Sequence, residues 1–409
     1  MYFNKVPRGT LSNKITSECY FFVKSIFCGL EDKIKINKFE NKFSKLIGLK
    51  HCIALPFART ALYYAIKSMK LSKGSEVIMS PITIKPMLDI VIHFGLKPVF
   101  VDLNLDTLCY DYNDLKKKIN KNTKLILITY LFGIVPNMNE LLTFKNNDIK
   151  IIEDFSQCLN GEFKQQKIGT FSDISIYSCS SIKTIDTFGG GLLLTNNDFY
   201  FKEITNYTEA LQKPSRLFLI RKITSNLIRN LATSFYIFNF FTFYFLLIIT
   251  FFKKNTKMLG NRSLTPIKKL PNFWFQKYTS LQAEAGLNFL KSLEINDKKR
   301  IDFAKKIKDR LKNTISFPKV NENNKNVYWQ LLAYSQNPVN TQKKLILKGI
   351  DVSSTSLVML NKLHAYGYNI FLKNVEKIYN KSLFIPCFSK LKKFQIDNIN
   401  KKISNLNNF

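Results

Sequence analysis

Short apolar runs of strand length alternate with helical patterns through the first half of this chain. The runs predict strands at 52–55, 76–79, 98–101, 125–130, 149–153, 174–177 and 192–195. Apolar residues three and four positions apart predict helices at 35–47, 61–69 (with Thr60 as its cap), 87–94, 113–119 and 137–144. Strands that alternate with helices favour a mainly parallel sheet flanked by helices, and such sheets bind ligands at the carboxyl ends of their strands.

The second half of the chain has a different pattern. Residues 281–312 are typical of a long helical region, 313–326 of a polar linker, and the remainder mixes short strands and helices. A chain of 409 residues is long enough for two lobes. We therefore predict a large domain with an N-terminal helical arm at 1–215, an insertion at 216–270 and a small α+β domain at 271–409.

An acid, a lysine and a glycine triplet lie near the ends of predicted strands. Asp154 follows the apolar run 149–153, Lys183 comes 29 positions later, and glycines occupy 189–191. Pyridoxal 5'-phosphate (PLP) requires a lysine for its Schiff base, a carboxylate that keeps its ring nitrogen protonated, and backbone that approaches closely. The three features together predict a PLP site. Glu153 points to the opposite face of the strand and is not given the carboxylate role.

These motifs resemble the DegT/DnrJ/StrS family of PLP-dependent sugar aminotransferases, in which Glu-Asp-x-x-Gln precedes Ser-Phe-x-x-x-Lys and a Gly-rich turn. Other segments that resemble the family are GLKPVFVD at 95–102, KLILITYLFG at 124–133, SLQAEAG at 280–286, NVEK at 374–377 and LFIP at 383–386. The resemblance covers roughly residues 35–205 and 275–409, but not the middle of the chain. It implies the fold type I architecture, which is α/β with a mainly parallel sheet.

The resemblance also implies roles for individual residues. Lys183 would form the Schiff base and then move a proton between substrate and cofactor carbons. Asp154 would pair with the pyridinium nitrogen, and Gln157 would lie near the ring and its phenolic oxygen. The phosphate would be bound at a helix start, where N–H groups attract anions. Its predicted ligands are Ser178, Thr60 and Ala61.

Several positions depart from the family pattern. Arg59 replaces the glycine usual at the phosphate-binding helix start, and Cys179 replaces a common phenylalanine. Ile84 stands where an aromatic residue often covers the ring. Phe275, with Asn272 nearby, stands where the family has an asparagine that crosses the dimer interface. These changes predict an altered ring cover and phosphate cup, whereas the retained lysine favours transamination over the dehydratase chemistry of members that have histidine there.

The activity implied by the resemblance is transfer of an amino group, commonly from glutamate, to a keto sugar carried on a nucleotide. Such products feed polysaccharide and glycoconjugate synthesis, and the family works as a homodimer. A second interpretation is a membrane-associated, catalytically silent scaffold or regulator that keeps the aminotransferase fold.

Residues 231–252 form an uncharged apolar stretch with basic residues on both sides. Its length suits a membrane-spanning helix. A single span would separate two lobes that build one site, and the flanking charges show no bias that would set an orientation. Two further interpretations remain open. One is a helix or shallow hairpin that lies in the inner leaflet with its basic flanks on anionic head groups, and the other is an apolar insert buried between subunits.

The net charge of +33 indicates either an anionic partner or a compositional bias toward lysine. A nucleic-acid partner would rest on this charge alone, and we predict none. Seven scattered cysteines indicate a reduced, cytoplasmic protein, with the inner membrane face as a further location. The three histidines show no metal-ligand spacing, so no metal is expected, and His93 is predicted to pack in the core. No signal peptide is recognised.

Overall fold

The computed structural model describes residues 5–146, 148–252, 264–321, 323–354 and 357–406, with the backbone alone at 251 and 252. Its strands are β1 (His51–Leu55), β2 (Glu76–Met79), β3 (Ile82–Thr83), β4 (Lys97–Phe100), β5 (Thr123–Thr129), β6 (Lys150–Asp154), β7 (Glu162–Phe163), β8 (Gln166–Lys167), β9 (Ile174–Ser178), β10 (Gly191–Thr195), β11 (Leu331–Tyr334), β12 (Val358–Met359) and β13 (Ser382–Ile385).

Its α-helices are α1 (Ile15–Phe27), α2 (Lys33–Ile47), α3 (Ala58–Met69), α4 (Lys85–His93), α5 (Tyr112–Lys118), α6 (Met138–Leu142), α7 (Asp198–Glu209), α8 (Arg216–Ala232), α9 (Phe235–Ile237), α10 (Phe243–Phe252), α11 (Ser280–Leu290), α12 (Leu293–Leu311), α13 (Pro338–Leu347), α14 (Lys373–Lys381) and α15 (Lys393–Ser404).

Seven strands form one central sheet in the order β1-β10-β9-β6-β5-β2-β4. The strands from β9 to β4 run parallel, whereas β10 lies antiparallel to both β9 and β1. The central strands β5 and β6 are buried along almost their whole length, as expected when helices flank a parallel sheet. The mainly parallel α/β sheet predicted from the sequence is therefore confirmed.

The C-terminal part of the chain adds smaller sheets. β11 and β13 pair antiparallel, and β12 pairs with β3, which lies just after the central strand β2. Helix α11 packs against α2 from the N-terminal part of the chain, and α12 packs against α15. The domain boundaries at 215 and 270 stay a prediction.

Two local predictions are wrong. Thr60 does not cap α3, because the helix already begins at Ala58 with Phe57 in the capping position. His93 is exposed at the end of α4 rather than packed in the core, since it lies on the outer face of that helix. The predicted long helical region 281–312 consists of two helices, α11 and α12.

The insertion forms a bent pair of helices. No single helix in the described part of the chain has the length and apolarity to cross a membrane, but 216–232 and 235–250 meet that standard together, with a 60° bend at the break. Many large apolar side chains of the second arm are exposed: Tyr236, Phe240, Phe241, Tyr244, Phe245 and Ile248. The basic residues Lys253, Lys254 and Lys257 of the predicted flank lie outside the described residues.

Candidate active site

Asp154 lies at the carboxyl end of β6, between the neighbouring strands β5 and β9. The side chain is buried, and its Oδ1 accepts a hydrogen bond of 3.0 Å from the backbone N–H of Ser156. Burial raises the pKa of Asp154, while the hydrogen bonds from Ser156 and the positive charge of Lys183 act in the opposite direction. The carboxylate and the lysine amine are therefore close enough to interact.

Lys183 lies in the loop 179–190 that joins β9 to β10. Part of its side chain reaches solvent, but the amino group lies among protein atoms. This burial lowers the pKa of Lys183 to about 7, and the negative charge of Asp154 limits the change. A lysine with this pKa has a substantial neutral fraction at neutral pH, and the neutral amine is the form that acts as a nucleophile or base.

Trp329 contacts the same amine from the C-terminal part of the chain. Nζ of Lys183 lies 3.6 Å from the centre of the indole ring, a cation–π contact. The indole Nε1–H donates to the carbonyl of Ile182 at 2.7 Å, and the Trp329 N–H donates to the carbonyl of Phe132 at 3.0 Å. The ring is thus fixed both to the loop that carries Lys183 and to the turn after β5.

The loop 179–190 is held by side chains from several distant elements. The contacts are Arg300 Nη1 to Thr184 Oγ1 (3.0 Å), Tyr177 Oη with the N–H of Ile185 (3.2 Å), Asn226 Nδ2 to Asp186 Oδ2 (2.6 Å), Tyr278 Oη to Thr187 Oγ1 (2.9 Å) and Gln282 Nε2 to the carbonyl of Gly189 (3.2 Å). These contacts come from β9, α8, the segment before α11, α11 and α12. They define the loop conformation, and with it the place of Lys183.

Two of the three glycines are required by close contacts. A Cβ on Gly190, whose φ is +122°, would come 2.7 Å from the ring of Tyr278. A Cβ on Gly191 would come 2.2 Å from the backbone N of Ala58. The strand that follows the Lys183 loop therefore packs directly against the start of α3.

The predicted phosphate ligands lie around this start of α3. Thr60 is fully buried, and its hydroxyl donates to the carbonyl of Trp274 at 2.7 Å. The N–H of Ala61 donates to the carbonyl of Phe57 at 3.0 Å, the normal bond of a first helical turn. Ser178 is half-buried at the end of β9 and is paired with Gly191. The hydroxyl proton of Thr60 and the N–H of Ala61 are thus already engaged.

Gln157 follows Asp154 closely and is buried as well. Its Oε1 accepts the N–H of Phe132 at 3.0 Å, so the side chain is tied to the same turn that holds Trp329. Phe132 has a positive φ of 57°, which is unusual for a residue with a side chain. The structure brings Asp154, Gln157 and Lys183 to one region at the carboxyl edge of the sheet.

The residues that depart from the family pattern have structural contacts. Phe275 packs its ring 4.9 Å from that of Tyr63, and its carbonyl accepts the N–H of Gln212. Cys179 is buried, and its N–H donates to the carbonyl of Gly190. Ile84 stands in the capping position of α4.

Glu153, on the opposite face of β6, makes structural hydrogen bonds. Its carboxylate accepts the hydroxyl of Tyr130 and the backbone N–H groups of Gly169 and Phe171, at 2.8 and 2.9 Å from the nitrogens. These bonds link β6 to the connection that leads into β9. Glu153 is therefore a buried structural carboxylate, in agreement with its strand position.

Sequence reasoning missed three residues at the site. Trp329 and Arg300 contact the Lys183 loop from the C-terminal half of the chain, and Asn226 does so from the insertion. The tryptophan was a usable signal because it is one of only two in the sequence and lies three positions after the polar linker 313–326. The other two look like ordinary helical residues in the sequence.

Solved structures and known sequences resemble this chain. The aminotransferase from Psychrobacter cryohalolentis has a TM-score of 0.76 at 18% identity, covering 96% of this chain and 97% of that one. The Helicobacter pylori aminotransferase PseC, involved in the biosynthesis of pseudoaminic acid, has a TM-score of 0.73 at 19% identity, covering 98% and 97%. GDP-perosamine synthase from Escherichia coli O157:H7 is 31% identical over 163 residues, which is 40% of this chain and 45% of that protein.

The fold is the fold type I architecture that this chain shares with those aminotransferase structures. The family model of the DegT/DnrJ/EryC1/StrS aminotransferases matches residues 31–216, the part that supplies Thr60, Asp154, Gln157 and Lys183. The resemblance that the motifs predicted is confirmed over residues 31–216, which is somewhat less than half of the chain. The alignments span 42–45% of the length of three curated relatives, less than half of each.

Proposed function

We propose that this protein is a PLP-dependent aminotransferase that converts a keto sugar into an amino sugar. The observation that carries this proposal is the pair formed by the buried carboxylate of Asp154 and the amine of Lys183 at one edge of the sheet. A buried acid that interacts with a lysine whose amine lies among protein atoms is uncommon unless the pair serves chemistry.

The residues present fit PLP. An acid to pair with a pyridinium, a lysine with a lowered pKa and backbone in close approach at Gly190 and Gly191 all lie together. We propose that Lys183, Asp154 and Gln157 hold the ring, and that Ser178 with the start of α3 at Thr60 and Ala61 holds the phosphate. Phosphate binding would then replace the present hydrogen bonds of the Thr60 hydroxyl to Trp274 and of the Ala61 N–H to Phe57. When bound, PLP supplies the electron sink for breaking a bond at the substrate carbon.

The chain's own groups then have distinct tasks. The negative charge of Asp154 would keep the ring nitrogen of the cofactor protonated. Once the amine of Lys183 is released, its lowered pKa allows it to accept a proton at one carbon and return it at another near neutral pH. Trp329 and the loop contacts keep this amine on the side of the sheet edge where Asp154 lies.

The substrate class is part of the proposal. The family match and the relative named GDP-perosamine synthase support a role in amino-sugar synthesis. From the family resemblance we propose that the acceptor is a keto sugar linked to a nucleotide and that the amino donor is glutamate. We further propose that the product serves polysaccharide or glycoconjugate synthesis and that the active form is a homodimer, as in the family.

We also propose that the protein works in the cytoplasm and contacts the inner face of a membrane through residues 231–252. Phe241 and Phe245 expose 72% and 65% of their surface on the second arm of the insertion, and Arg221 and Arg229 are exposed on the first. A segment that exposes both apolar rings and cations is typical of one that lies at an anionic bilayer surface.

Absorbance spectroscopy tests the catalytic proposal. Purified protein incubated with PLP should take on the visible absorbance of a lysine-bound cofactor, and Lys183→Ala should lack it. Added glutamate should convert that spectrum to the one of the amine form of the cofactor in a single half-reaction. A wild-type protein that binds PLP but does not respond to any amino donor would favour the catalytically silent scaffold, and one that binds no PLP would overturn the proposal.

A further inference from the structure

Helix α8 of the insertion contacts the Lys183 loop through a buried hydrogen bond. Nδ2 of Asn226 donates to Oδ2 of Asp186 at 2.6 Å, and both side chains are at most 1% exposed. Asp186 is three residues beyond Lys183 in the same loop. The insertion, whose second arm exposes Phe241 and Phe245, is thus connected through its first helix to the loop that carries the reactive amine.

The inner face of α8 is built to reach this loop. Its buried residues are Leu219, Ile223, Asn226 and Asn230, which recur every three to four positions. The first two pack in one apolar cluster with Phe188 of the Lys183 loop and Phe21 of α1. The helix therefore holds the loop by an apolar contact at Phe188 and by a polar contact at Asp186.

Asp186 depends on its donors because it is fully buried. Its Oδ1 accepts the N–H of Phe188 at 2.8 Å, and its Oδ2 accepts Asn226. Burial raises the pKa of Asp186 to about 7, and these two hydrogen bonds oppose the change. Removing the donor to Oδ2 would leave a buried carboxylate oxygen without that partner, which costs more than an ordinary hydrogen bond contributes.

Asp186 lies just before the bend at 188–190, which returns the chain to β10. Phe188 has a positive φ of 60°, and Gly189 and Gly190 follow with φ of 111° and 122°. A positive φ costs the two glycines little, but it is unfavourable for Phe188 because this residue carries a side chain. The Asp186 carboxylate bound to the Phe188 N–H stabilises this bend, and Asn226 in turn orients the carboxylate.

We propose that Asn226 is a positioning residue for Lys183, which acts by orienting Asp186 and thereby fixing the loop 179–190. This inference rests on the proposed function of Lys183. It assigns the insertion a role inside the enzyme, in addition to any surface that the exposed residues of the insertion contact.

Asn230 provides a matched control one turn further along α8. It is also a buried asparagine whose Nδ2 donates to a buried carboxylate, Glu18 Oε2 at 3.0 Å, and to the carbonyl of Asn13 at 3.0 Å. These partners belong to α1 and the segment before it, not to the Lys183 loop. The same substitution at either asparagine thus places a carboxylate against a carboxylate, but in two different places.

The test is hydrogen–deuterium exchange of the full chain with Asn226→Asp, Asn230→Asp and the double variant Asn226→Asp/Asp186→Asn. We expect Asn226→Asp to speed exchange in peptides covering 180–190 roughly tenfold or more, because a hydrogen bond to a buried carboxylate is lost. Asn230→Asp should speed exchange in α1 and leave 180–190 within about twofold of wild type. The double variant restores a donor–acceptor pair and should return the loop to near-wild-type exchange.

The visible spectrum with PLP gives the functional readout. Asn226→Asp should weaken PLP binding and alter the pH dependence of the lysine-bound absorbance, with recovery in the double variant. Unchanged loop exchange in Asn226→Asp, or equal effects of both asparagine substitutions on 180–190, would overturn the positioning role. If Asn226→Asp does not fold, Asn226→Ala replaces it. A wild type that binds no PLP contradicts the proposed function, while the exchange data still decide whether Asn226 holds the loop.

Discussion

The carboxyl edge of the sheet and the outer arm of the insertion use side chains in opposite ways. At the sheet edge, charged groups such as Asp154 and Lys183 are drawn into the protein, where burial changes their pKa values. On the insertion, aromatic groups such as Phe241 and Phe245 are left outside. Buried charge provides reactivity, whereas exposed apolar area favours contact with something outside the chain. The first helix of the insertion, α8, contacts the loop at the sheet edge through the hydrogen bond between Asn226 and Asp186.

The largest effect is expected from Lys183→Ala. The substitution removes the group that binds the cofactor covalently and moves the proton, so the visible absorbance should disappear and turnover should fall by at least about 10³-fold. Absorbance spectroscopy measures the bound cofactor, and a coupled glutamate-dependent assay measures turnover. Lys202→Ala, an exposed lysine on α7, is the control and should behave as wild type. Retention of the lysine-bound absorbance in Lys183→Ala would mean that another lysine carries the cofactor.

Asp154→Asn should have the next largest effect. The side chain keeps its shape but loses the charge, so turnover should fall roughly 10²-fold. The negative charge of Asp154 raises the pKa of Lys183, so without it that pKa should drop below about 7. The pKa of Lys183 can be measured in the protein without PLP, from the pH at which this lysine becomes reactive toward an acylating reagent. An increase in that pH would contradict the interaction between the two groups.

Phe241→Ser with Phe245→Ser should separate the insertion from the sheet edge. The double variant should bind anionic vesicles roughly tenfold more weakly or worse, because two exposed rings no longer enter the bilayer surface. Its PLP spectrum should not change. Vesicle sedimentation measures binding, and Phe371→Ser, another exposed ring outside the insertion, is the control. A change in oligomeric state with unchanged vesicle binding would instead place these rings between subunits.

Trp329→Leu should give the smallest effect of the four. The substitution removes the cation–π contact with the Lys183 amine and the indole N–H bond to Ile182, so the charged form of the lysine loses support. The pKa of Lys183 should decrease by less than in Asp154→Asn, and turnover should fall by no more than about tenfold. The same acylation profile measures the pKa. A larger effect than that of Asp154→Asn would mean that the indole has a direct part in the reaction.

Local sequence determined the alternation of strands and helices and the position of Asp154 at a strand end. These features follow from apolar periodicity, which depends on near neighbours in the chain. The spacing of Asp154, Ser178 and Lys183 and the glycine triplet was sufficient to predict the family whose model matches residues 31–216. Thr60 shows where this reasoning ends, because the sequence predicted it as a helix cap, whereas its hydroxyl donates to the carbonyl of Trp274, 214 positions away.

Tertiary structure alone decided how the Lys183 loop is held. Arg300, Trp329 and Asn226 reach it from segments that carry no recognisable motif, since a contact between distant residues leaves no periodic trace in the sequence. The lowered pKa of Lys183 has the same origin, because burial depends on what packs around the amine. The sequence identified the insertion as an apolar stretch. Only the fold showed that its first helix buries two asparagines, while its second arm leaves aromatic rings exposed.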